Sequence, residues 1–136
     1  MSVLQNGKYR ITNVSTSLRL DDKGDHNESP PVTIYAGNAN EGPHQIWEIT
    51  SVGDGVYKLR NEATRMVLDG NGNGAIYTHT LQEGNKHQQW RIVQHGDFYC
   101  LTSQETELRL ESSGGHNVKG AKPIDAEKQK WVIVKV

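Results

Sequence analysis

A single cysteine, Cys100, occurs in 136 residues, so no intramolecular disulfide can staple the chain. Excess charge is also missing. Fifteen basic residues against sixteen acidic ones leave a net charge of −1, which excludes a nucleic-acid or acidic-membrane partner held by bulk electrostatics. No stretch is apolar enough to span a bilayer, so no membrane insertion is expected. The segment Met1-Ser2-Val3-Leu4-Gln5-Asn6-Gly7 carries neither a basic head nor an apolar run, and a cytoplasmic location is expected. Long helical periodicity is absent. Glycines 70, 72 and 74 lie in a hairpin-like stretch rather than between a strand and a helix, which excludes a phosphate cradle. No histidine pair has convincing zinc spacing, and neither a metal nor another cofactor is expected. At this length a single domain, 1–136, buries roughly two-thirds of its unfolded surface and folds without staples.

What is present is a repeat. Gln-x-Trp occurs as Gln45-Ile46-Trp47, Gln88-Gln89-Trp90 and Gln129-Lys130-Trp131, and these hold all three tryptophans. Each copy runs on into an apolar tail such as Trp131-Val132-Ile133-Val134. Upstream, each copy opens on a glycine and a strand-like aromatic segment: Gly7-Lys8-Tyr9, Gly55-Val56-Tyr57 and Gly96-Asp97-Phe98-Tyr99. A leucine followed by an acid comes next, as Leu20-Asp21, Leu68-Asp69 and Leu110-Glu111. The tyrosines and the acids are both offset by 48 and 42 residues, so two independent landmarks give one repeat. Its copies run approximately 6–50, 54–94 and 95–136.

Alternation of period two in Tyr9-Arg10-Ile11, Leu18-Arg19-Leu20 and Tyr57-Lys58-Leu59 is strand periodicity. Fourteen glycines punctuate the strands with turns. Each copy offers about four short strands, roughly twelve in all. A four-stranded unit cannot bury its apolar face alone, so three close on one another. The expected fold is an all-β β-trefoil whose tryptophans and opening tyrosines fill the core. By the same alternation Cys100 stands where Arg10 and Lys58 stand, a strand side chain rather than a nucleophile.

The triple Gln-x-Trp, with Leu-Asp upstream in two copies, resembles the ricin B-chain type β-trefoil lectins over residues 6–135. The missing disulfides and leader are similar to the small cytoplasmic lectins of fungal fruiting bodies. The resemblance implies a non-catalytic glycan-binding protein, with galactose or N-acetylgalactosamine as ligand and defence as its role. It further implies three site elements per repeat: an acid after the second strand for sugar hydroxyls, an aromatic about ten residues before the Gln-x-Trp for the C–H face, and an amide just before that Gln. Carboxylate hydrogen bonds are strong, and a stacked ring adds apolar burial with defined geometry.

On that pattern the first repeat presents Asp21, Tyr35 and His44, with Asn38, Asn40 and the backbone near Gly24 as further contacts. A turn-capping acid and a core or rim tyrosine are the structural alternatives for Asp21 and Tyr35. The second repeat presents Asp69, Asn85 and His87. Aligning Val32–Tyr35 with Ile76–His79 puts His79 in the place of the stacking aromatic and Tyr77 on the other face of the strand. The third has Glu111 for Asp, Lys128 before its Gln and no aromatic between Ser112 and Lys130, and reads as scaffold. Useful avidity would come from a second site or a homodimer. Two other functions suit the same fold: a protease inhibitor using the loop 22–31 or 70–74, and an accessory subunit of an enzyme.

Overall fold

The computed structural model describes residues 4–22, 32–112 and 116–136, with the backbone alone for 32–36. Among them are twelve strands: β1 Gly7–Asn13, β2 Arg19–Asp22, β3 Val32–Gly37, β4 Trp47–Gly53, β5 Val56–Asn61, β6 Val67–Gly70, β7 Ile76–His79, β8 Trp90–His95, β9 Phe98–Ser103, β10 Arg109–Glu111, β11 Lys119–Ala121 and β12 Trp131–Lys135. The Gln of each Gln-x-Trp ends a three-residue 3-10 turn: Pro43–Gln45, Lys86–Gln88 or Glu127–Gln129. Among the described residues no helix is long and apolar enough to cross a membrane.

The strand pairs close a ring. β1 pairs with β4, β4 with β5, β5 with β8, β8 with β9, β9 with β12, and β12 returns to β1, every pair antiparallel. This is a six-stranded barrel with no free edge. The hairpins β2–β3, β6–β7 and β10–β11 stand off it, one per repeat. The chain is a β-trefoil, as the repeat predicts.

Where barrel strands from the two halves of a repeat meet, a tyrosine faces a tryptophan: Tyr9 opposite Trp47, Tyr57 opposite Trp90 and Tyr99 opposite Trp131. The three tryptophans, Tyr9 and Tyr57 are buried with Ile11, Leu59 and Leu101 in one core, against which Tyr99 packs half-buried. Each tryptophan also donates its indole N–H to a carbonyl in the hairpin above it: Leu20 at 3.0 Å, Leu68 at 3.0 Å and Leu110 at 3.1 Å. A buried indole N–H needs such a partner. These bonds tie the barrel core to the strand that carries each acid.

The turns leading into β2, β6 and β10 share one chemistry. Asn13, Asn61 and Ser103 each accept two backbone N–H bonds from the next residues, through a side-chain oxygen. Thr16, Thr64 and Thr106 then accept the N–H of Leu18, Met66 and Leu108. The residues between, Ser17, Arg65 and Glu107, hold φ of 61°, 62° and 62°. Side-chain oxygens bonding nearby N–H groups are what make Asn, Ser and Thr turn formers. The polar stretch between the first two strands of each repeat therefore fixes where the acid emerges.

The hairpins also touch one another. Gly120 donates its N–H to Gly74 O at 2.9 Å, and a Cβ on Gly74 would lie 2.7 Å from Gly120 O. With φ of +87° as well, Gly74 admits no other residue without strain.

Candidate functional site

Each repeat holds its acid in the same frame. Gln45 Nε2 donates to Asp21 Oδ2 at 2.8 Å, Gln88 Nε2 to Asp69 Oδ2 at 3.0 Å, and Gln129 Nε2 to Glu111 Oε1 at 3.0 Å. The same amide donates to the carbonyl of Asn38, Thr80 or Lys122, while the Gln oxygen accepts the N–H of Asn40, Gln82 or Ile124. All three glutamines and all three acids are buried, the acids at 4, 4 and 2 % exposure. Burial pushes the Asp21 carboxyl up, the Gln45 hydrogen bond and nearby His44 pull it down, and the neighbouring Asp22 carboxylate raises it.

Asp22 faces the other way, into the seam between the first two repeats. Its Oδ2 accepts the hydroxyls of Thr64 at 2.6 Å and Thr78 at 3.0 Å, and it is fully buried. Asp22 braces the first site from behind and is closed to solvent.

Strand register decides what faces each acid. Asp21 pairs with Tyr35, Asp69 with Tyr77 and Glu111 with Lys119. Directly opposed residues share a face of the sheet. Tyr77, not His79, is therefore the counterpart of Tyr35, and the expected alignment of Ile76–His79 with Val32–Tyr35 is two residues out of step. His79 pairs with Val67, further along the same face as Tyr77, and its Nδ1 lies 3.3 Å from Thr80 O. The expected placement of Tyr77 on the other face therefore fails, because strand side chains repeat every two residues. Tyr77 is half-buried, and its hydroxyl is held above the ordinary phenol value by burial first and then by the charge and hydrogen bond of Asp69. Register counted from the acid would have identified it.

The remaining expected residues divide by how their polar groups are used. Asn40 accepts the Gly42 N–H through its side chain at 2.7 Å and the Arg19 guanidinium through its carbonyl at 2.8 Å. Asn85 caps its 3-10 turn, accepting the His87 N–H at 2.9 Å and donating to Gln82 Oε1 at 2.8 Å. Both asparagines thus build the loop before the Gln. Asn38 supplies its carbonyl to Gln45 and is exposed, while His44 and His87 are half-buried beside their acids' glutamines. Gly24 lies outside the described residues, as does nearly all of the loop 22–31. The other candidate inhibitory loop, 70–74, is a tight turn: Asn71 Oδ1 accepts the N–H groups of Asn73 and Ala75, and Gly74 lies against Gly120.

In the third repeat lysines take the aromatic's and the histidine's places. Lys119 Nζ lies 3.6 Å and Lys128 Nζ 3.9 Å from the Glu111 carboxylate. Cys100 is buried and its thiol pushed up by that burial, which suppresses the thiolate a nucleophile needs. No group of three or more metal-ligating side chains occurs among the described residues.

Known proteins place this geometry. A designed three-fold symmetric protein, ThreeFoil, is 25 % identical, superposes with a TM-score of 0.87, and the match covers 96 % of this chain and 100 % of that one. The lectin of Polyporus squamosus, solved with a human-type influenza-binding epitope, is 28 % identical at a TM-score of 0.79; the match covers 98 % of this chain but spans only 50 % of that one. SeviL, solved with the asialo-GM1 saccharide, shares the fold at 20 % identity and a TM-score of 0.78, over 97 % of this chain and 99 % of that one. No curated protein sequence matches. The model of the ricin-type β-trefoil lectin domain-like family matches residues 2–80. The chain belongs to that family, and its kinship supports carbohydrate binding in general.

Proposed function

We propose that this protein is a non-catalytic lectin for glycans ending in galactose or N-acetylgalactosamine, bound in the first and second repeats. The observation that carries this reading is the opposition of a glutamine-anchored aspartate and a tyrosine across one hairpin, Asp21 with Tyr35 and Asp69 with Tyr77. A carboxylate takes a pair of sugar hydroxyls, and a ring on the same face takes the apolar side of the pyranose. The epitope solved with the Polyporus lectin contains galactose, which favours that sugar. His44 and His87 border the pockets and select among epimers.

A single neutral monosaccharide held by one carboxylate and one ring binds in the high micromolar to millimolar range, worth roughly 4–5 kcal/mol. Two such sites, or a homodimer, turn weak contacts into avidity on a multivalent glycan. The packing of the 70–74 turn against Gly120 counts against its use as a protease-inhibiting arm.

A glycan array of labelled protein beside its Asp21→Asn and Asp69→Asn variants tests the reading. Signal on galactose-terminated glycans, reduced by each variant and lost in the double variant, is expected. A blank array for the unmodified protein overturns it.

A further inference from the structure

The third repeat keeps the frame and reverses the charge. Glu111, Gln129 and Trp131 repeat the bonds of the other two copies, at 3.0 Å from Gln129 Nε2 to Glu111 and 3.1 Å from the Trp131 indole to Leu110 O. Around that frame three positions become lysine. Lys119 stands opposite the acid, where the others have Tyr35 and Tyr77. Lys122 gives its carbonyl to the Gln amide, where the others have Asn38 and Thr80. Lys128 precedes the Gln, where the others have His44 and His87. From the residue opposite the acid to the residue after the Gln, the formal net charge is −1 over 35–46, 0 over 77–89 and +2 over 119–130.

Neutralising Glu111 does not require this many cations. Its side chain is 3 % exposed, and one ammonium would compensate one carboxylate. Lys119 and Lys128 approach it at 3.6 and 3.9 Å, beyond hydrogen-bond reach, and their side chains remain 58 % and 38 % exposed. Each ammonium therefore keeps its three donors for another acceptor. Of the acids on the same segment, Asp125 is committed elsewhere, to Lys130 at 3.2 Å, and Glu127 is exposed at the start of the 3-10 turn. A stacking ring is missing here, and concentrated positive charge takes its place.

We propose that the third-repeat pocket is a binding site for an anionic sugar residue, one carrying sulfate or carboxylate, with Lys119 and Lys128 taking the anionic group. This rests on the lectin reading of the fold, and it gives the third repeat a ligand class different from the neutral sugar of the first two. Ammonium–anion hydrogen bonds are among the stronger polar contacts, and their Coulomb part weakens with salt. Glu111, locked by Gln129, draws the two ammoniums toward its own charge and so limits the pocket's affinity for a second anion.

The test is an NMR titration of the full ¹⁵N-labelled chain at low ionic strength with four separate probes: galactose, galactose 6-sulfate, N-acetylneuraminic acid and inorganic sulfate. Shifts of the Lys119 and Lys128 amides and the Trp131 indole are expected with at least one of the two acidic sugars, and which one responds distinguishes sulfate from carboxylate. Galactose should leave those signals still, and inorganic sulfate should bind at least tenfold more weakly. Lys119→Gln combined with Lys128→Gln should weaken acidic-sugar binding at least tenfold. Glu111→Gln, which keeps an oxygen for Gln129, should strengthen it several-fold. No response from repeat three to either acidic sugar overturns the proposal, as does inorganic sulfate binding equally well, which marks a bare anion patch. Signals from Asp21 and Trp47 under galactose report the neutral site in the same experiment, so failure of either reading is seen separately.

Discussion

Gln45 reaches from the start of the Trp47 strand to Asp21 at 2.8 Å and to the Asn38 carbonyl at 2.6 Å. One residue thereby joins the signature that marks the repeat to the acid that marks the site. Trp47, two residues on, anchors the same hairpin from below through Leu20 O. The sequence signature is thus as much a site-building device as a core element.

Removing that link should cost both stability and binding. Gln45→Ala leaves the buried Asp21 carboxylate, the Asn38 carbonyl and the Asn40 N–H without their partner. The buried carboxylate left unpaired costs about 1–3 kcal/mol, and the exposed Asn38 and Asn40 backbone groups add less. Urea denaturation should show a loss of about 3 kcal/mol, and galactose binding at the first site should vanish although Asp21 is intact. Retained binding would show that Asp21 needs no positioning.

Asp21→Asn separates the two effects. Burial raises the folded-state carboxyl above its ordinary value, so the fold favours the protonated form. Stability from this group is then fully present below the ordinary carboxylate range and is lost as pH rises through the folded value. At pH 7 the ionised carboxylate is a burden that asparagine removes, while its oxygen still accepts from Gln45. The variant should melt above the parent at pH 7, the gap should close below about pH 4, and first-site binding should fall at least tenfold. A melting-temperature difference independent of pH would refute this account.

Trp47→Ala should do the opposite of a site variant. Trp47 is fully buried and pairs with Tyr9 on the adjacent barrel strand, so truncation opens a cavity at the closure of the first repeat. A loss of about 3–5 kcal/mol is expected in denaturant unfolding. Sites in the other two repeats should weaken in parallel with the fraction folded and no further.

The barrel and its three-fold plan were legible because they rest on period: one tryptophan, one tyrosine and one leucine–acid pair recur in each repeat at offsets that local insertions barely disturb. The acids, their glutamines and the dissimilar third pocket were legible for the same reason. What faces each acid was not. Tyr35 lies ten residues before Gln45 and Lys119 ten before Gln129, but Tyr77 lies eleven before Gln88. Matching the apolar Val32 to Ile76 puts His79 in the place of Tyr35, two residues off, whereas hairpin pairing fixes the partner from the acid's side. The asparagines carry a second use. Asn40 and Asn85 look like ligands in sequence, and in the fold each also accepts an N–H of the adjacent turn, a structural use the sequence does not reveal.

That register makes the sharpest prediction about the second repeat. Tyr77 stands opposite Asp69, while His79 stands opposite Val67 and leans on Thr80 O. If the ring opposite the acid stacks on the sugar, Tyr77→Ala should weaken second-site binding about tenfold, since a well-placed aromatic contact is worth about 0.5–1.5 kcal/mol beyond its burial. His79→Ala should change the affinity less than twofold. Tyr77→Phe separates stacking from hydrogen bonding: it keeps the ring but removes the hydroxyl that lies beside the Asp69 carboxylate. Retained affinity in the Phe variant with loss in the Ala variant assigns the contact to the ring face. Isothermal titration with galactose in an Asp21→Asn background, where the first site is silent, reads the second site alone. A larger loss from His79→Ala than from Tyr77→Ala would move the stacking position back to the histidine and break the equivalence of the two repeats.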